Sequence, residues 1–169
     1  MSAGFSTERL VAEPLTLAHE GELAVLHADE RVMTTKGGST AAPEQSRAWI
    51  ERNLPHGEEP GCGILVFHEQ GTGRFVGRGA IRRIEIGGRE EVEVGYAVAG
   101  DLWGRGFATE MATGLVAHAT EHGHVDLVAY TAPGHAASRR VLEKIGFAYE
   151  RDVEHHGSLQ VLYRRRSAS

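Results

Sequence analysis

The sequence predicts an α/β chain of the mixed α+β kind. Its centre is a mixed, mostly antiparallel sheet of about seven strands, with helices on both faces. Three observations carry this. Strand-like runs around Phe75 to Ile86 are joined by the hairpin signals Gln70-Gly71-Thr72-Gly73 and Gly87-Gly88. A long amphipathic run from Ala108 to His122 then leads into Val125 to Tyr130, which reads as a β-α-β crossover. Two last strands close on a turn at Gly157.

The elements follow in order. Arg9 to Glu13 is a strand ended by Pro14, and Leu23, Leu26 and His27 mark a short helical face. Thr34 to Pro43 is polar and Gly-containing, a mobile loop. Pro43-Glu44 opens a helix through Trp49, Ile50 and Leu54. Ile64 to Phe67, Phe75 to Ile86 and Glu91 to Val98 are strands. In the long helix, Phe107, Met111, Leu115 and Ala119 repeat every four residues, beside Ala108, Ala112 and Val116. Ser138 to Ile145 is a helix with Gly146 as its C′ cap. Phe147 to Val153 and Leu159 to Arg164 are the last strands. No repeat, low-complexity segment or linker divides the chain, so residues 1–169 read as one domain.

A chain of 169 residues buries roughly 70% of its unfolded surface. The net charge of −5 argues against nucleic-acid binding. Arg164-Arg165-Arg166 is the basic exception and reads as a strand end rather than a binding site. The one cysteine, Cys62, excludes an internal disulfide and fits a reducing compartment. In Gly61-Cys62-Gly63 it reads as a buried small hydrophobe, not a nucleophile. No run spans a membrane and no secretory h-region is present, which predicts a cytoplasmic protein without a membrane partner.

The most informative residues are Trp103-Gly104-Arg105-Gly106-Phe107-Ala108-Thr109-Glu110. Two glycines one residue apart sit where a strand gives way to the long helix. Such a turn aims unpaired backbone N–H groups at one spot, with the positive end of the helix dipole behind them. That suits a phosphate or pyrophosphate, although an ordinary Gly-rich turn has the same pattern. In the strand before it, Val92, Val94, Tyr96 and Val98 share one face. Glu91, Glu93, Gly95 and Ala97 share the other. Glu91 and Glu93 either solvate an outer face or sit beside a thin ligand lying along the strand. A bulge here would change which side chains face that ligand.

Glu93-Val94-Gly95-Tyr96, the turn at Trp103 to Glu110, and Ser138-Arg139-Arg140-Val141-Leu142-Glu143-Lys144-Ile145-Gly146-Phe147 resemble the GNAT superfamily of N-acetyltransferases. The similar branch is the RimJ/RimL-like one, of ribosomal-protein-alanine acetyltransferases. Thr7-Glu8-Arg9-Leu10 and Trp49 also resemble that branch, so the likeness spans nearly the whole chain. It implies the GNAT fold, acetyl-CoA as co-substrate and an amine acceptor, either a peptide N-terminus or a small amine. It implies that Trp103, Gly104, Arg105, Gly106, Phe107, Ala108 and Thr109 hold the CoA pyrophosphate through their backbone. Tyr96, Ala97 and Val98 would hold the pantetheine arm, with His135 and Ser138 as further cofactor contacts. A homodimer is common in the family.

Two residues depart from the family pattern. His135 stands where this branch usually has Asn. Leu142 stands where many relatives have the Tyr that serves as general acid. Ser138, His135 or water would then protonate the leaving thiolate, which leaves readily because a thiol titrates near 8.5. An amine must lose a proton before it attacks a thioester, and Glu93 is the candidate base, working through a water. Glu93 and Ser138 are therefore the catalytic candidates. His118, His122 and His124 have partial zinc-ligand spacing, but the Glu of H-E-x-x-H is absent and no Cys is near in sequence, so no metal is expected. Positive charge at a helix C-terminus explains them. A second reading is a non-catalytic acyl-CoA-binding sensor with the same fold. An NAD or ATP site is disfavoured because position 109 is Thr, not a third glycine, and no G-K-[ST] is present.

Overall fold

The computed structural model describes residues 3–35, 40 and 42–167. Its strands are β1 (Phe5–Ser6), β2 (Leu10–Pro14), β3 (Gly63–Glu69), β4 (Phe75–Ile86), β5 (Arg89–Val98), β6 (Asp126–Thr131), β7 (Ala148–His155) and β8 (Ser158–Arg166). They form one eight-stranded sheet in the order β1-β2-β3-β4-β5-β6-β8-β7. Every neighbouring pair is antiparallel except β5 and β6. The seven expected strands are present, and the addition is β1, a two-residue strand too short to leave a periodicity.

Helices α1 (Glu20–Ala28), α2 (Glu30–Thr35) and α3 (Pro43–Asn53) cover one face, and α4 (Phe107–Glu121) and α5 (Ala136–Lys144) cover the other. Helix α2 has a single buried residue, Val32, and so carries no amphipathic signal. Half of the loop expected over Thr34 to Pro43, residues 36–39 and 41, lies outside the described residues. Its first two residues, Thr34 and Thr35, close α2.

The sheet separates two cores. Phe67, Val94, Val98, Met111, Leu115 and Leu127 pack beneath α4, joined by Leu142 of α5. Leu23, Leu26, Val32, Ile50, Ala80 and Ala97 pack beneath α1 to α3. Strand β5 therefore alternates as its sequence does, with Val94 and Val98 on the α4 side and Ala97 on the other. Its pairing with β4 runs unbroken from Ile86↔Arg89 to Gly77↔Val98, so no bulge against β4 disturbs the alternation.

Two details fix the frame around the site. Helix α5 ends in a Schellman motif: Gly146 (φ 98) donates to the Glu143 carbonyl and Phe147 to that of Leu142. Leu142 and Phe147 are both buried in the α4-side core, the apolar contact that accompanies this cap. At the far end of β8, Arg164 is buried and bonded to Glu91, Asp126 and Glu150. Glu91 is thus the anchor of an ion cluster and not a solvated residue. Among the described residues no helix is long and apolar enough to cross a membrane.

Candidate active site

Strands β5 and β6 pair at only two positions, Val92↔Leu127 and Glu93↔Val128. Beyond Glu93 they part, and a cleft of about 690 Å³ opens between them. Ala99 N–H bonds to the Val76 carbonyl on β4. By strand alternation the N–H groups of Tyr96 and Val98 then face the gap, away from β4. The Val98 carbonyl at the mouth of the gap accepts the indole N–H of Trp103 at 2.9 Å. That bond explains a half-exposed Trp at this position, at the end of a short 3-10 turn, Gly100–Leu102.

The Gly-rich turn sits directly above. Gly104 (φ 80) and Gly106 (φ 79) are both left-handed, and Gly106 is the N-cap of α4. From Gly104 to Thr109 no N–H reaches a backbone carbonyl among the described residues; the first to do so is Glu110, to Gly106. Six consecutive donors therefore stand at the positive end of a fifteen-residue helix. The turn is held from behind by the chain's start. Glu110 accepts from the Thr7 hydroxyl at 2.5 Å, the Arg9 N–H at 2.7 Å and the Arg9 guanidinium at 2.6 Å. Arg9 also donates to the Arg105 carbonyl and lies 4.3 Å over the Phe107 ring. Burial works against charging Glu110, but the Thr7 and Arg9 bonds outweigh it and hold the carboxyl below its ordinary range.

The floor of the cleft carries the carboxylate. Glu93 is 5% exposed, and Arg82 donates to its Oε1 at 2.8 and 3.1 Å. Both bonds fall on Oε1. Oε2 lies over Gly95, where an added Cβ would sit only 3.1 Å away. Of the two readings left open for Glu93, a solvated face or a place beside a ligand, the solvated one does not hold, because the cavity and Arg82 enclose it. Tyr130 of β6 lies beside this pair; burial, followed by the Glu93 charge, pushes its hydroxyl up to about 12. The two-residue Gly87-Gly88 turn sets Ile86 opposite Arg89, and counting back from it places Arg82 opposite Glu93. The partner was therefore readable from the hairpin register.

The cleft brings together Glu93, Tyr96, Ala97, Val98, Trp103, Gly104, Gly106, Phe107, Ala108, Thr109, His135 and Ser138. Arg105 lies outside the lining and contributes its carbonyl to Arg9. Ser138 and Tyr96 share a hydroxyl–hydroxyl bond of 3.3 Å across the cleft wall, and burial raises the Tyr96 pKa. His135 is the N-cap residue of α5 and makes no side-chain cap bond. Leu142 is 1% exposed and belongs to the core, and its side chain offers no proton to a leaving group. Sequence reading missed Arg78, Arg82 and Tyr130, which line the same space from β4 and β6.

Away from the cleft, the histidines correct one expectation. Burial, then the neighbouring His122, lowers the His118 pKa, so His118 is not the helix-end cation its position suggested. A cysteine is also near in space. Cys62 Sγ lies 3.7 Å from His124 Nε2 and 3.0 Å from Glu59. Burial and the Glu59 contact push the thiol up to about 12, and Arg83 holds Glu59 at 2.7 Å. Cys62 is buried as expected, though bonded rather than merely apolar.

Comparison with known proteins agrees with this geometry. The chain is 30% identical over 144 residues to the uncharacterized protein YkkB of Bacillus subtilis (strain 168), covering 85% of this chain and 83% of that protein. An acetyltransferase from Agrobacterium tumefaciens str. C58 superposes with a TM-score of 0.83 at 26% identity, over 97% of this chain and 94% of that one. RimL, a ribosomal L7/L12 α-N-protein acetyltransferase solved with coenzyme A, has the same fold, with a TM-score of 0.77 at 16% identity over 95% of each chain. Residues 9–148 match the acetyltransferase (GNAT) domain, a span that includes both the parted strands and the Gly-rich turn, and the chain belongs to that family of acetyltransferases.

Proposed function

We propose that the protein is an acetyl-CoA-dependent N-acetyltransferase that moves the acetyl group to a primary amine by direct attack on the thioester. The observation that carries this is the pairing of six backbone donors at the N-terminus of α4 with a buried carboxylate on the floor of the same cleft. The donors suit the pyrophosphate of CoA. The pantetheine arm fits the gap between β5 and β6, where it would take the place of the missing strand pairing beside Tyr96, Ala97 and Val98. RimL, a neighbour of the same fold, was solved with CoA.

In this reading the amine arrives from the face covered by α1 to α3. Glu93 takes its proton through a water, using the oxygen that Arg82 leaves free. The neutral amine attacks the carbonyl carbon, and a C–N bond forms as the C–S bond breaks. The Tyr96 or Val98 N–H stabilises the oxyanion, and closeness of the two reactants supplies much of the rate. The Tyr96–Ser138 hydroxyl pair is the candidate proton donor to the thiolate, in place of the Tyr that Leu142 replaces, and the second proton that the nitrogen loses as the amide forms restores that pair.

The test is an acetyl-transfer assay that follows release of free thiol, run against N-terminal peptides and small amines. Transfer to one class identifies the acceptor. Tight acetyl-CoA binding with no transfer to any amine would instead favour a sensor.

A further inference from the structure

The acidic sequence hides a basic cavity. The chain carries −5 overall, yet the described cleft lining holds Arg78, Arg82, Arg140 and Lys144 against the single carboxylate of Glu93. Arg140 and Lys144 come from α5, on the side of the Gly-rich turn. Arg78 and Arg82 come from β4, and they lie on the opposite face of the sheet with Ala80, beneath α1 to α3. Arg82 is neutralised by Glu93. Among the described residues no carboxylate pairs with Arg78.

Arg78 is nevertheless held in place. Its Nε–H donates to His27 Nε2 at 3.2 Å. A guanidinium only donates, so His27 Nε2 must accept, and the imidazole is neutral with its proton on Nδ1. That proton reaches Ser46 Oγ at 3.0 Å. His27 and Ser46 are both buried, at 2% and 0% exposure. The guanidinium lies 4.6 Å from the Trp49 ring. Stacking and the Nε bond thus fix the plane of the fork from behind, while its two terminal nitrogens have no partner among the described residues. A half-buried cation without a counter-charge is costly unless something anionic completes it. A carboxylate or phosphate fits a guanidinium fork in two parallel bonds.

Arg78 faces Ala97 and Arg82 faces Glu93 on adjacent strands, so the fork and the candidate base share one floor. Gly95 and Ala97 between them are small and leave that floor open. We propose that Arg78 binds an acid group of the acceptor, so that the acceptor is a small amine that also carries a carboxylate or a phosphate. The proposal rests on the acetyltransferase reading above. A net charge of −5 is too mild to choose between cationic and anionic acceptors, and the basic lining of the cleft makes that choice instead.

The experiment uses matched pairs of acceptors with wild-type protein at saturating acetyl-CoA. Amino acids are compared with their carboxamides, and phosphoethanolamine with ethanolamine. Acetyl-CoA binding is measured first by calorimetry. The acid-bearing member of a pair should exceed its neutral partner by about tenfold or more in kcat/KM, because the neutral one leaves the fork unpaired. Preference within the carboxylate or the phosphate pairs tells which acid the site takes. Arg78→Gln should collapse that preference through KM, with acetyl-CoA affinity and melting temperature held. Arg78→Lys, which keeps charge without the fork, should be intermediate. Equal or better transfer to neutral or polycationic amines would overturn the proposal, as would transfer to none of the acid-bearing amines when acetyl-CoA binds. An Arg78→Gln effect on acetyl-CoA affinity would assign Arg78 to the cofactor instead. Failure of acetyl-CoA itself to bind would remove the acetyltransferase reading, a separate outcome. The comparison on wild type stands even if a variant misfolds.

Discussion

Replacing Glu110 by alanine would take away the clamp that holds the Gly-rich turn to the start of the chain. Three bonds are lost at once: Thr7 hydroxyl at 2.5 Å, Arg9 N–H at 2.7 Å and Arg9 Nε at 2.6 Å. Charge-assisted hydrogen bonds contribute about 1.5–3 kcal/mol each where buried. The Arg9 side chain is 41% exposed, so its ion pair belongs at the low end of the range for such pairs. Together the clamp should contribute about 2–3 kcal/mol, and at roughly 2–4 °C per kcal/mol for a chain of this size the melting temperature should fall by about 4–12 °C. The sign with pH follows from the lowered Glu110 pKa. A carboxyl depressed in the folded state stabilises above its unfolded value, near 4.5, and that stability disappears as pH falls through the folded value. Thermal unfolding of wild type and Glu110→Ala between pH 7 and pH 3 is the assay. The two curves should converge in acid, and acetyl-CoA affinity of the variant should drop at neutral pH. An unchanged melting temperature at pH 7, or a gap that persists in acid, would refute the reasoning.

Other perturbations read different parts of the site. Glu93→Gln keeps an oxygen for Arg82, so the fold should survive, while kcat falls by about 10²–10⁴ where the amine is protonated and recovers toward high pH; an unchanged pH–rate profile would remove Glu93 from the mechanism. Gly104→Ala meets no atom within 4 Å, so its stability cost is the left-handed backbone alone, about 1–2 kcal/mol, yet its methyl stands beside the open donors. Acetyl-CoA affinity should therefore fall much further than the melting temperature implies, and a proportionate fall would contradict phosphate binding at this turn. His27 is lowered from 6.5 to about 4, by burial first and by Arg78 second. Its neutral form stabilises the fold above pH 6.5, and about 3 kcal/mol is lost as pH falls toward 4. His27→Gln should flatten stability across that window and leave the Glu110 region below it intact; an unaltered slope would show that His27 is not the titrating group.

The parts of this molecule legible in the sequence are those set by local rules. Periodicity marked α4, and the Gly87-Gly88 turn marked the β4–β5 hairpin with its register. Gly104 and Gly106 marked the turn because few other residues accept a φ near 80. The Thr7 to Leu10 stretch was recognisable, but its purpose was not, since Glu110 lies about a hundred residues away. The Arg78–His27–Ser46 chain joins β4, α1 and α3, and no single segment carries its pattern. Glu91 and Glu93 looked equally able to face solvent or a ligand. The difference came from arginines on other strands, Arg164 and Arg82, which bury each carboxylate in its own pair. His118 read as a helix-end cation because position alone says nothing of its burial against Phe5.

The central claim is that the six donors above the parted strands hold the pyrophosphate of an acyl-CoA. Calorimetric titration of the purified protein with acetyl-CoA, with NAD and ATP as controls, tests it most directly. Micromolar binding of acetyl-CoA, without comparable binding of either nucleotide, is the predicted result. Absence of acetyl-CoA binding, or equal binding of all three, would contradict the claim.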